Sequence, residues 1–309
     1  MPTKSLPLAL ALLLPAFALA EERPRVVVLE SAERAAYTAV VAGFSAELRG
    51  EVSRVRLEEA EATSLEKAAK LKPALVLAIG PAAAVGAKRA LPDVPIVFVM
   101  VPYLERYGLE GPRVTGISMT GDFSAELSAL KATFPSGKRV GLLHDPRYST
   151  ALLEEIRPRA KAQGLTLVPL EVEGEAGLGR TLAAARGKVD AVMMVGDKTV
   201  ATAAIVKRAI AFAEEEKVPF VALSPPLVKE GAFLSISPNP VGVGQQAGRL
   251  ANRILHEKVD PGALAVAPPE GLEMAVNLST ARKLGVGGEL AQRLLELAAR
   301  MGYPVKVFE

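Results

Sequence analysis

Three stretches of this chain carry residue types that could do chemistry. His144-Asp145, with Ser149 close behind, has the parts of a base, an orienting acid and a nucleophile. Such triads assemble from residues far apart in sequence, however, and only His144 and His256 are present to act as base. Gly116-Ile-Ser118-Met-Thr-Gly121 sets a serine between glycines, but not at the spacing of a nucleophile elbow. Gly242-Val-Gly244-Gln-Gln-Ala247 has the outline of a dinucleotide loop, yet it follows two prolines and reads as the first turn of a helix. There is no phosphate-cradling GxxxxGK[ST] loop, no HExxH and no cysteine, so neither a cofactor nor a metal is expected. Binding is the expectation; an exported hydrolase built on His144 and Ser149 stays as the enzymatic alternative.

A second set of residues suits binding without turnover. In open parallel sheets, ligands sit beyond the carboxyl ends of the strands, where helix N-termini offer unbonded N–H groups and a partial positive charge. The residues that fall there are Glu30 and Ser31, then Gly80, Pro81 and Ala82, then Pro102 and Tyr103. Later in the chain come His144 and Asp145 with Tyr148 and Ser149, then Gly196 and Asp197, Ser224, and Asn239. Carboxylates, hydroxyls and amides converge in this set, an inventory fit for a small zwitterion or polyol. Each has a plainer reading beside it. Asp197, Ser31 and Ser149 can cap helices, and Asp145 before Pro146 can make a turn.

The elements that must position them alternate. Short apolar, β-branched runs are separated by Ala- and Glu-rich segments of helical period, which indicates parallel βαβ units with helices on both faces. Strands are expected at 26–29, 52–57, 75–79, 96–101, 114–119, 139–144, 165–172, 191–195, 220–223, 233–237 and 273–277. Helices are expected at 35–48, 65–71, 82–90, 123–134, 151–163, 178–186, 199–214, 243–256, 280–284 and 289–300, with Asp122 as a cap and Gly50 and Gly164 as stops. Residues 306–309 read as a loose end. The unit from Pro73 through Gly80 to Val94-Pro-Ile-Val recurs in outline from Val189 through Gly196 to Val218-Pro-Phe-Val, as two lobes of one design would produce. Pro238-Asn239-Pro240 and the Pro261–Gly271 stretch read as crossings between them. The division expected is 21–117 with 238–262 for lobe 1, and 118–237 with 263–309 for lobe 2.

Residues 1–20 read as a cleavable secretory signal. Lys4 precedes an almost wholly apolar Leu6–Leu19, small Ala18 and Ala20 frame the cut, and Glu21-Glu22-Arg23 follow. The apolar run, broken by Pro7 and Pro15, is too short to span a bilayer, and nothing later in the chain is longer. The expected location is the periplasm, without a lipid anchor because the chain has no cysteine. A net charge of +3, evenly spread, is no nucleic-acid footprint.

From about Arg25 to Leu284 the chain resembles the ABC-transporter substrate-binding proteins of the tryptophan/tyrosine type. The residues that carry the likeness are Val114-Thr-Gly-Ile-Ser118, Lys138-Arg-Val-Gly-Leu-Leu143 with Asp145-Pro146, Gly196-Asp197-Lys198-Thr199-Val200, Leu227-Val-Lys-Glu-Gly-Ala232, Gly244-Gln-Gln-Ala-Gly248 and Val276-Asn-Leu-Ser-Thr-Ala-Arg-Lys-Leu-Gly285. The resemblance implies two Rossmann-like lobes of the type I binding-protein fold, joined by a three-crossing hinge and closing on one small ligand. It implies a monomer that delivers an amino acid or related solute to an inner-membrane ABC permease, or alternatively reports it to a membrane sensor. It also implies that Asp197 meets a ligand ammonium while Ser31, Ala82 and Ser149 meet a carboxylate. His144-Asp145-Pro146 stands where the family has Tyr-Asn-Pro. Ser224-Pro225 stands where it has Ser-Asp, and Pro238-Asn239-Pro240 where it has Asp-Tyr. These changes take aromatic and acidic groups out of the cleft, which argues against an aromatic amino acid.

Overall fold

The computed structural model describes residues 23–309, apart from Glu59, Tyr103, Thr120, Asp122, Lys198, Val286 and Gly287. The leader read at 1–20, the candidate Tyr103 and the cap at Asp122 therefore lie outside the described residues.

Two sheets form. The first holds β1 (Arg25–Glu30), β2 (Glu51–Arg56), β3 (Leu75–Ile79), β4 (Ile96–Val101) and β5 (Val114–Ser118), all parallel, in the order β2-β1-β3-β4-β5. The second holds β6 (Arg139–His144), β7 (Thr166–Glu171), β8 (Ala191–Met194), β9 (Phe220–Ala222), β10 (Leu234–Pro238), β11 (Leu272–Asn277) and β12 (Val305–Phe308), in the order β12-β11-β10-β9-β8-β6-β7. Both sheets start one strand in from an edge, add the second strand as that edge and the later ones on the other side. Each therefore has a topological switch point, between β1 and β3 and between β6 and β8. The outlined repeat occupies matching places in the two, β3-β4 and β8-β9.

The apolar runs are explained by burial on both faces. In the first sheet Val26, Val28, Leu75, Leu77, Val97 and Val99 face one layer, while Val27, Leu29, Val76, Ala78, Ile96 and Phe98 face the other. Each such side chain contributes about 1.5–3 kcal/mol relative to exposure. The helices are α1 (Ala35–Glu47), α2 (Glu61–Lys70), α3 (Pro81–Ala90), α4 (Ser124–Thr133), α5 (Pro146–Ala162), α6 (Glu175–Ala185), α7 (Ala203–Glu216), α8 (Pro225–Lys229), α9 (Pro240–His256), α10 (Leu278–Lys283) and α11 (Gly288–Met301).

α9 follows β10 of the second sheet but packs on α1 of the first. Pro240 fits its first turn, where no backbone donor is missed, and Asn239 Oδ1 accepts the Gly242 N–H. Gly43 on α1 and Gly244 and Gly248 on α9 bring the two backbones together, for a Cβ on any of them would press on the facing main chain. Asn252 completes the join, accepting the Arg49 N–H at 2.9 Å and donating to Glu47 O at 2.8 Å. Further on, residues 264–267 run beside β5, with Ala267 N–H donating to Gly116 O and Ser118 N–H to Ala267 O. The chain thus passes between the sheets three times: after β5, at Pro238–Pro240, and before β11.

Several expectations are corrected. Residues 306–309 are not a loose end, because β12 pairs parallel with β11 and pins them. The second sheet is mixed, since β11 runs antiparallel to β10. Helix α7 begins at Ala203 under a Thr202 cap, later than Thr199, and α8 was not foreseen. Gly164 does stop α5 in a left-handed turn (φ 72°), but Gly50 plays no such part: α1 ends on an extended Leu48.

Candidate functional site

A cavity of about 1300 Å³ opens beyond the carboxyl ends of the strands, walled by both sheets and the passages between them. From the first sheet's side come Arg34, Ala35, Ala36 and Ala39 of α1, then Met100 near the end of β4 and Pro102 after it. From the second come Phe123, Ala125 and Glu126 of α4, Leu152, Met193, Met194, Gly196, and the run Val221 to Pro226. The passages add Met119, Gly121 and Ile236 to Val241, and the sheet edge adds Leu272, Glu273, Pro304, Lys306 and Phe308. The lining is mainly apolar, with few polar groups, as expected for a cavity that orients a small organic molecule.

Among the described residues, two carboxylates and three cations line the cavity. Glu273 is buried and held by Lys306 Nζ at 2.9 Å, so that pair is spent internally. The other carboxylate on the wall is Glu126, and the other cations are Arg34 and Lys229. Arg34 sits at the N-cap of α1 in an extended conformation and its side chain does not cap the helix. The Ala35 and Ala36 N–H groups precede the first intrahelical bonds, at the positive end of a 13-residue helix, and both residues line the cavity.

Pro102, Gly196, Ser224 and Asn239 of the sequence-derived set stand on this wall. Tyr103 lies outside the described residues, and the remaining ones are not on the wall but cluster about the two switch points. Glu30 is buried at the end of β1, its carboxylate taken by Arg54 through two 2.9 Å bonds. Ser31 Oγ accepts the Ala83 N–H at 2.9 Å, which ties β1 to the start of α3. Gly80 lies between them at φ 90°, hemmed by Ser31 and Tyr37, with Pro81 and Ala82 opening the helix.

At the second switch point the carboxylates are equally occupied. Asp197 is fully buried. Its Oδ1 accepts the N–H groups of Thr199 (2.9 Å) and Val200 (2.8 Å). Its Oδ2 accepts the Asp145 N–H (2.8 Å) and faces the Ser149 hydroxyl (3.0 Å). That hydroxyl also lies 2.9 Å from Asp145 O, so its one proton serves two acceptors. Asp145 caps α5, grips the Arg147 guanidinium at 2.6 and 2.9 Å, and accepts from Thr199 Oγ1 at 2.5 Å. The Arg147 hydrogen bonds hold its carboxyl well below the usual carboxylate range. Tyr148 is exposed between two guanidinium groups, with Arg147 5.5 Å from its ring centre and Arg106 4.5 Å away. Arg106 belongs to the short turn Leu104–Arg106 after β4, so this cation–π contact spans from the first sheet's loops to the second's helix α5.

His144 is buried, and among the described residues neither ring nitrogen has a hydrogen-bond partner. Burial pushes its imidazole below the ordinary value, against the pull of Glu171, Asp197 and Asp145. Ser149 bonds the aspartates and not His144, so the hydrolase alternative lacks the nucleophile–base hydrogen bond it requires.

What sequence reasoning passed over is the apolar lining: Met100, Met119, Phe123, Met193 and Met194, together with Arg34. Met193 and Met194 end a strand two residues before Gly196, and Met100 precedes Pro102 by two. Proximity to the chosen loops was the available signal, but a buried strand's residues read as core.

A family model described as ABC transporter substrate binding protein matches residues 49–301. Among curated proteins, a tyrosine-binding protein of Clostridioides difficile is 23% identical over 69% of this chain; the match spans 63% of that relative's own length. Among solved structures, a ligand-free, open substrate-binding protein with adhesive properties from Clostridium difficile superposes with a TM-score of 0.75, at 20% identity, covering 93% of this chain and 100% of that one. A streptococcal ABC domain in complex with L-Trp gives 0.62 at 19% identity, covering 88% and 98%. At such identities the structures speak for the fold, two lobes of the type I binding-protein kind. The chain belongs to the ABC transporter substrate-binding protein family, whose members hold their substrate without turning it over.

Proposed function

We propose that this protein works outside the cytoplasm as the capture component of an ABC uptake system, holding an amino acid or a closely related solute between its lobes and passing it to a permease. The observation that carries this reading is the cavity between the two sheets, with the uncapped N-terminus of α1 and Arg34 on one wall and Glu126 on the other. The pair is suited to a carboxylate at α1 and an ammonium at Glu126. Pro102, Gly196, Ser224 and Asn239 complete the contact set. The bodies that close follow the division 21–117 with 238–262 and 118–237 with 263–309, except that residues 264–267, bound to β5, travel with the first; a ligand touching both favours the closed form by its differential affinity. The leader at 1–20 and the periplasmic partner permease belong to the same proposal.

Asp197 has a different part in it from the one the resemblance implies. With four donors on a fully buried carboxylate, it fixes the Gly196 loop from behind. The test is calorimetric titration with the twenty amino acids and their amides, on wild type, Glu126→Gln and Asp197→Asn. We expect Glu126→Gln to weaken binding at least about tenfold. Asp197→Asn should lower the melting temperature as well. Binding of no amino acid by the wild type would refute the capture of amino acids.

A further inference from the structure

We infer that Met100 is a specificity-determining residue of the cleft, set there by a break in strand β4, and that it selects solutes with a sizeable apolar body. The inference rests on the capture reading above and goes beyond it by naming which residue reads the ligand and which part it reads.

The break is visible in three independent ways. In β4, Val97 and Val99 face the layer of α1 and α9, and Ile96 and Phe98 face the other. Strict alternation would send Met100 to the Phe98 side and Val101 to the Val99 side. The structure does the reverse: Val101 packs with Ile96 and Phe98, and Met100 packs with Val99 beside α1 and α9. The pairing to β5 shows the same slip, since Phe98 faces Gly116 while Val101 faces Ser118, leaving one residue too many in β4. Met100 itself has φ 56°, a left-handed conformation unfavourable for a side chain with a Cβ. These are the marks of a β-bulge, a device that re-aims a side chain at the cost of local strain.

Its effect is to bring Met100 onto the cavity wall, which Ala36 and Ala39 of α1 also line. Their small side chains leave room there. Met119, Met193 and Met194 line the same space. Unbranched, polarisable thioethers adapt to apolar shapes of differing outline, so this wall suits a class of hydrophobic side chains more than a single one. A position under backbone strain that served only the fold would be better filled by glycine. Retaining a long side chain there puts the strain at the service of the ligand.

Met100→Gly and Met100→Leu separate these roles. The probes are L-leucine, L-methionine, L-phenylalanine, L-tyrosine and L-alanine, titrated calorimetrically, with melting temperature measured in parallel. Glycine relieves the left-handed strain, so Met100→Gly should melt no lower than wild type while losing at least about tenfold in affinity for the large probes, and less than about twofold for L-alanine. Met100→Leu, similar in volume, should stay within about threefold for the large probes and shift their rank order. Unchanged affinities in both variants would overturn the assignment of Met100 and leave the capture reading standing. A wild type that binds none of the five probes would overturn the inference together with the reading beneath it. Should Met100→Gly melt well below wild type, the bulge serves stability and the assignment fails.

Discussion

The join between α1 and α9 holds both helix N-termini at the cavity wall, and Gly244→Ala tests how tightly. A Cβ at residue 244 would lie 2.8 Å from Phe44 N and 2.9 Å from Val40 C, and closer still to Val40 O. These are main-chain atoms within a helix, so no rotamer change can clear them. The helices must part by roughly 0.5–1 Å, a gap that forfeits about a quarter to a half of each dispersion contact across the seam. Overpacking of this kind costs about 1–3 kcal/mol, and the backbone clash places it at the upper end. Alanine returns about 1 kcal/mol through helix propensity, which leaves a net loss of about 2 kcal/mol. For a protein of this size that lowers the melting temperature by about 4–8 °C, read by scanning calorimetry. Gly177→Ala is the control: it lies in α6 with nothing within 4 Å of the new Cβ, so it should gain stability by up to about 1 kcal/mol. Adding Gly43→Ala, whose Cβ would press on Val241 and Gln245 of α9, should cost less than its single effect, because the helices have already parted. A Gly244→Ala protein that melts at or above wild type would refute the close packing argued from these three glycines.

Other perturbations have equally definite outcomes. His144→Leu removes two buried ring nitrogens that find no partner among the described residues and should raise stability by about 1 kcal/mol in denaturant titration. The folded state holds His144 below its ordinary 6.5, so the wild type should lose stability as pH falls below about 6.5, and His144→Leu should lack that component. Asp145 is depressed in the folded state, so its contribution is present above the unfolded value of 3.8 and fades as pH falls below it; Arg147→Met should flatten that acid limb. Asn239→Ala removes the α9 cap at the second passage and should cost about 1 kcal/mol, seen as a lower denaturation midpoint at unchanged slope.

The sheets were legible in sequence because they are buried on both faces, and continuous runs such as Leu75–Ile79 have no competing reading. β12 escaped because Val305-Lys-Val-Phe308 is four residues of alternating pattern, and what makes it a strand is the neighbouring β11 edge, a long-range fact. α8 was hidden by Pro225-Pro226, which suit a first helical turn as well as a loop. In the site, strand-end geometry led to Pro102, Gly196, Ser224 and Asn239 on the wall. The same logic gathered Glu30, Ser31, Asp145 and Asp197, whose groups turn inward; residue type does not reveal which way a carboxylate spends its acceptors. The bulge at Met100 left no trace, since a strand apolar on both sides looks the same whether or not its alternation slips.

The order in which this chain is synthesised sits awkwardly with the way its first half is covered. Val28, Val40, Phe44, Leu77 and Val99 belong to a greasy face that residues 240–256 help to seal. A nascent chain emerging from the ribosome must make the whole of β6 to β10 before that patch is shielded. Until then the early half is a half-closed book, prone to stick to its neighbours. Folding should accordingly show a slow, concentration-sensitive phase that ends when the late helix docks on the early one.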